Sequence, residues 1–215
     1  MRPRAARRVL PAVACGLGLL VLATAVPLRY RVQPAENVGS DLVSRLAAGV
    51  PDIAAAPGDR HGRVVRPVKL AIPDIGVAAR VVPTGLDSRG EFALPSTVDT
   101  VAWYRLGPGL GELTGSVVLG GHVDDSEKDE GAFFRLRLLT PGAWIIVGAD
   151  DGHGRAYRVV GREEYPKSEI DLRRYFSTTG IPRLTLITCG GSFDDESKTY
   201  QDNVVVTAVP VPGAS

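Results

Sequence analysis

From Pro67 onward the chain alternates short apolar runs with breaks of Gly, Pro and Asp. "VKLAI", "GVAARVVP", "VAWYRL", "SVVLGGH", "AWIIVGA", "AYRVVGREEY", "RLTLITC" and "NVVVTAVP" are rich in Val and Ile and end at turn residues. Each predicts a strand, because β-branched side chains suit a pleated, half-buried surface. Helical periodicity is sparse. It is confined to "GAFFRLRLL" around Phe133 and "SEIDLRRYFS" around Leu172, the second with Ser168 placed to cap it. Closely spaced strands with few helices predict an all-β barrel or sandwich. A barrel is favoured, because closure removes exposed strand edges.

The first part of the chain has a different pattern. Arg2, Arg4, Arg7 and Arg8 form a basic head at residues 1–8, and residues 9–28 carry no charge. That run matches the roughly 20 residues a helix needs to cross a bilayer. Arg29 and Arg31 follow, so the basic excess lies before the segment and orients the remainder outward. Ala23-Thr24-Ala25 has the small-x-small form of a signal-peptide cleavage site. An uncleaved transmembrane anchor is the favoured reading, given the length of the run and the arginine directly after it. Residues 29–66 read as a linker: "LVSRLAAGV" suits a short helix and "PDIAAAPGDRHGR" a tether.

Composition narrows the function classes. The 215 residues carry a formal net charge of +1, which gives no support to nucleic-acid binding. There are two cysteines. Cys15 falls in the apolar segment and reads as a small filler of a membrane helix. Cys189 therefore stands unpaired in a domain expected outside the cytoplasm, where cysteines usually form disulfides. Such a thiol points to an intermolecular bridge or a reactive group, with a buried apolar role as the plain alternative.

Of the three histidines, His61 falls in the tether and His153 in a hairpin turn, both read as solvated. His122 ends the run "SVVLGGH" and Cys189 ends "RLTLITC", and each adjoins two glycines. Small residues at strand ends let another backbone approach, as a groove for an extended peptide requires, although ordinary tight turns look the same. A thiol beside an imidazole can form a thiolate–imidazolium pair. The sulfur then attacks a carbonyl and the ring protonates the leaving amine.

"TLITCGG" around Cys189, "SVVLGGHVD" around His122 and "DNVVV" from Asp202 resemble the sortase family. "WYRLGPG" from Trp103 and "GAFFRLRLLTPGAWIIV" from Gly131 are similar to its actinobacterial class F branch. The resemblance spans about Pro67 to Val211 and makes residues 67–215 the catalytic domain. It implies a closed eight-stranded β-barrel and a membrane-held cysteine transpeptidase with its catalytic domain extracellular. Such an enzyme cleaves a C-terminal Leu-Pro-x-Thr-Gly-type sorting motif of surface proteins through a thioester on Cys189. It passes the acyl group to an amine of a peptidoglycan precursor or a pilin, with His122 as general acid and then base. No cofactor and no metal is expected. The acidic run Asp124, Asp125, Glu127, Asp129 and Glu130 reads as a solvated loop.

One position departs from the family pattern. The arginine expected directly before "DNVVV" is Gln201, and no arginine follows Arg183. Gln201 is thus the tentative oxyanion or substrate-binding residue. A neutral amide can donate to an oxyanion but brings neither charge nor a two-pronged donor. Arg105 and Arg183 are alternative sources of a guanidinium. A catalytically weak or inactive binding module is the competing function. An L,D-transpeptidase ranks lower, because Thr188 precedes the cysteine where those enzymes usually carry Gly.

Overall fold

The computed structural model describes residues 35–49, 64–124 and 129–213. The basic head, the apolar segment with Cys15, and His61 lie outside these residues. Among the described residues no helix is long and apolar enough to cross a membrane.

Eight strands close into one barrel: β1 (Pro67–Ile72), β2 (Val77–Thr84), β3 (Val101–Tyr104), β4 (Ser116–Gly120), β5 (Trp144–Ala149), β6 (Gly154–Pro166), β7 (Arg183–Asp194) and β8 (Thr199–Pro210). Their order around the barrel is β1-β2-β3-β4-β7-β8-β6-β5. The pairs β2/β3 and β4/β7 are parallel and the rest antiparallel. Every strand read from the sequence is present. Alternation decides which side chains fill the interior: Leu70, Val117, Leu119, Leu184, Leu186, Val204 and Val206 are all buried in one core cluster.

The ends of two strands differ from expectation. β4 stops at Gly120, two residues before His122. β7 does not end at Cys189 but runs to Asp194, with a bulge between Gly190 and Phe193. Gly191 lies there at φ +73°, and a Cβ on it would sit 2.1 Å from Asp202 Oδ2. Only glycine relieves both the backbone strain and the clash, so the bulge is written into this residue.

The helical expectations also shift. The stretch around Phe133 forms turns and a 3-10 segment at Leu136–Leu138, not an α-helix. Helix α2 is only Leu172–Tyr175. Ser168 does not cap it. The chain first turns at Pro166, whose carbonyl accepts from Glu169 and Ile170, and the Asp171 side chain then accepts from Arg173 N at 3.2 Å.

Helix α1 (Ser40–Ala48) falls within the stretch read as a linker, and it packs on the barrel. Val38 exchanges backbone hydrogen bonds with Arg162, and Glu164 Oε2 accepts from Ala35 N at 2.6 Å. Val43 and Tyr175 form a second, outer apolar cluster with Val205, against which Ile170, Phe176 and Ile187 pack. The outer face of β7 and β8 is therefore flanked by both helices.

Candidate active site

The register of three strands builds the site. β4 and β7 run parallel, with Ser116 beside Arg183 and Gly120 beside Ile187. Past the end of β4, Gly121 N donates to Ile187 O at 3.2 Å and Thr188 Oγ1 donates to Gly121 O at 2.8 Å. The chain thus stays alongside β7, and continuing the register by two residues brings position 122 beside Cys189. Leu184 and Leu186 point inward, while Ile187 joins the outer cluster. By the two-residue period of a strand, Cys189 also faces outward. It is half-buried and unpaired.

His122 is held at ring and backbone. Its carbonyl accepts from Phe133 N at 3.0 Å, and its Nε2 lies 2.7 Å from Pro95 O. Pro95 belongs to the connection between β2 and β3. That segment also lays Phe92 against Gly120, where a Cβ would come within 2.6 Å of the ring. Gly121 likewise makes room for Phe133, whose ring lies 2.8 Å from a built Cβ. The glycines before His122 therefore seat the protein's own aromatic rings, not a foreign backbone as their small size suggested.

A family model for the Sortase domain matches residues 70–211. The chain belongs to the sortase family. Its members are cysteine transpeptidases, and this chain has their barrel. It is similar to sortase C-1 of Actinomyces oris, with a TM-score of 0.53 and 23% identity over 67% of this chain and 73% of that one. It is also similar to sortase C1 of Streptococcus agalactiae, with a TM-score of 0.53 and 17% identity over 67% of each chain. A second structure of the Streptococcus agalactiae protein gives 0.53 and 16% over 82% of this chain and 84% of that one. No curated protein matches.

The two alternative guanidiniums of this sortase are engaged away from its thiol. Arg183 starts β7, six residues before Cys189, a strand distance of roughly 20 Å. Its guanidinium donates to the carbonyls of Thr179, Ile181 and Arg174. Arg105 follows β3 at the end that pairs toward the start of β4, away from His122, and lies beside Gly85. Neither guanidinium stands in at the thiol. Gln201 is exposed, and its carbonyl accepts from Lys167 N at 2.9 Å. Lys198 is an exposed turn residue at φ 54°.

Three neighbours were not singled out by sequence reasoning. Pro95 acts through a backbone carbonyl, which no side-chain pattern marks. Asn203 is the direct cross-strand partner of Cys189. Tyr200 donates a hydrogen bond to Asp124, joining the β7–β8 hairpin to the loop after His122, and stacks edge-on with Phe193 at 5.2 Å. Burial, the bond to Asp124 and that carboxylate's charge push the Tyr200 phenol up to about 12, with Cys189 adding a smaller contribution. The phenol therefore stays a neutral donor.

Behind the bulge, burial pushes the Asp202 carboxyl up, and Glu164 and Glu169 reinforce the shift against Lys167. A buried network fixes the segment between β6 and β7. Arg174 Nη2 donates to Glu163 Oε1 and Oε2 at 2.8 and 3.0 Å, and Tyr175 donates to Oε2 at 2.9 Å. Within the acidic loop, Asp124 bridges Glu130, and Glu130 pairs with Arg135 at 3.1 Å. Among the described residues, no group of three or more His, Cys, Asp or Glu is arranged to hold a metal ion.

Proposed function

We propose that this sortase cleaves a C-terminal Leu-Pro-x-Thr-Gly-type motif and transfers the acyl group to an amine of a peptidoglycan precursor or a pilin. The observation that supports this reading is the parallel β4/β7 register, whose last pair, Gly120 with Ile187, lies two residues before His122 and the half-buried thiol of Cys189. The thiolate of Cys189 attacks the threonine carbonyl. A bond forms from sulfur to carbon, the carbon–nitrogen bond breaks, and the His122 imidazolium gives its proton to the departing glycine amine. An incoming amine then attacks the thioester. His122 takes its proton, the sulfur leaves, and a new amide remains.

Gln201 is assigned as a neutral donor to substrate. Losing one oxyanion donor outright costs on the order of 10²–10³ in rate, and replacing an arginine by a neutral amide costs less. The basic head at residues 1–8 and the uncharged run at residues 9–28 support an exported protein held at the membrane and acting on surface proteins bearing the sorting signal.

A second reading is a surface module that binds sorting peptides without processing them. The exposed, uncharged Gln201 favours it. The two readings separate with a Leu-Pro-x-Thr-Gly peptide, an amine acceptor and mass spectrometry of Cys189. A transpeptidase gives an acyl adduct on Cys189 and an amide product, both lost in Cys189→Ala. A binding module holds the peptide equally well in wild type and Cys189→Ala and processes none. Gln201→Arg raises turnover if position 201 reaches the developing oxyanion.

A further inference from the structure

Cys189 and Asn203 are direct partners across β7 and β8, and the pairing stays regular on either side, from Thr188 with Val204 to Gly190 with Asp202. Directly paired residues on adjacent strands point to the same face, with Cβ atoms about 4.5–5.5 Å apart. Inward-facing Val204 and Val206 fix the direction: Val205 joins the outer cluster, so Asn203 shares the outer face with Cys189. On the other side of β7, β4 pairs as far as Gly120 with Ile187, and extending that register by two residues past the strand's end leads to position 122. Asn203 is half-buried, and among the described residues its side-chain amide has no hydrogen-bond partner. Gln201 lies two residues farther along β8, past the pair at which the bulge begins, and it is exposed.

An amide NH₂ group supplies two donors and an oxygen acceptor. Beside a sulfur that must carry negative charge, with Arg183 and Arg105 engaged elsewhere, its donors have one evident task. We propose that the Asn203 side-chain amide donates a hydrogen bond to the negative charge at Cys189, on the thiolate first and on the adjoining oxyanion after attack. The inference rests on Cys189 being the nucleophile. Asn203 thereby takes over part of the work that a charged arginine does in the family pattern. A neutral donor gives less stabilisation than a charged one. It also costs less to hold half-buried, since no charge is taken from water.

The test uses the full-length chain and a thiol reagent, so it needs no knowledge of the substrate. Rates of Cys189 alkylation by iodoacetamide are measured on the rising limb of their pH profile for wild type, Asn203→Ala and Asn203→Asp. Circular dichroism confirms that each variant is folded. Removing a donor to a charged group slows alkylation about tenfold in Asn203→Ala. Asn203→Asp keeps the shape but sets a carboxylate against the thiolate, so it is slower still. Equal rates in all three, or Asn203→Asp at least as fast as Asn203→Ala, overturn the inference, because a purely structural role does not follow the sign of the charge. Peptide cleavage is followed in parallel. If alkylation obeys the order while the wild type forms no acyl adduct, the donor role stands and the transpeptidase reading falls. If cleavage proceeds and alkylation ignores residue 203, the transpeptidase stands and the donor role falls.

Discussion

The Nε2 atom of His122 lies 2.7 Å from the carbonyl oxygen of Pro95. A carbonyl only accepts, so Nε2 carries the proton in the neutral ring and Nδ1 is left as the basic nitrogen. In the proposed mechanism Nδ1 is then the nitrogen that takes a proton and returns it. Nitrogen-15 correlation spectra of the neutral ring are expected to show the Nε2–H tautomer. A dominant Nδ1–H form would show that Pro95 does not set the tautomer.

Glu163 is expected to be the most costly single side chain to truncate outside the main core. Its carboxylate is 1% exposed and accepts from Arg174, Tyr175 and Tyr165. Glu163→Ala leaves the Arg174 guanidinium without its carboxylate partner, and because Arg174 is itself 23% exposed, water offsets part of a loss of about 1–3 kcal/mol. Urea unfolding measures the loss. Glu163→Gln keeps an acceptor for the two tyrosines and is expected to lose less. A change under about 0.5 kcal/mol in Glu163→Ala, the size typical of an ordinary surface substitution, would contradict this account.

Asp202 gives a pH dependence of defined sign. Burial, with Glu164 and Glu169 nearby, raises its carboxyl above the unfolded value of 3.8. Between that value and the higher folded one, the native state binds more protons than the unfolded state. Stability from this group is complete below 3.8 and is lost as pH rises through the folded value. Asp202→Asn keeps the shape without the charge, so it is expected to melt higher than wild type at neutral pH. The difference shrinks as pH falls toward 4, near the unfolded carboxyl value. A constant difference across pH, or a lower melting temperature at pH 7, argues against a destabilising charge at this site.

The eight strands were legible because β-branched residues and turn-forming Gly, Pro and Asp act over a few residues of chain. The two candidate reactive residues stood out for a chemical reason: a lone thiol is unusual in a domain whose leading sequence reads as an export signal, and Cys189 and His122 sit at comparable ends of apolar runs. Sequence reasoning failed where a neighbouring turn or a distant segment sets the outcome. Ser168 is a good cap by type, but the turn at Pro166 uses up the residues it would have capped. The glycines at 120 and 121 are small because Phe92 and Phe133 need the space, and no local pattern names those partners.

The amino-acid sequence by itself determined the strands and the presence of one thiol and one imidazole suited to acyl transfer. Tertiary structure alone decided what stands next to that thiol. A strand's side-chain period is local, but its neighbours and their register are set by barrel closure and by the bulge at Gly191. Closure set β4 beside β7 in a parallel pair that no hairpin announces, with matched residues up to Gly120 and Ile187. Register, not residue type, put Asn203 opposite the sulfur and left Gln201 farther along the strand.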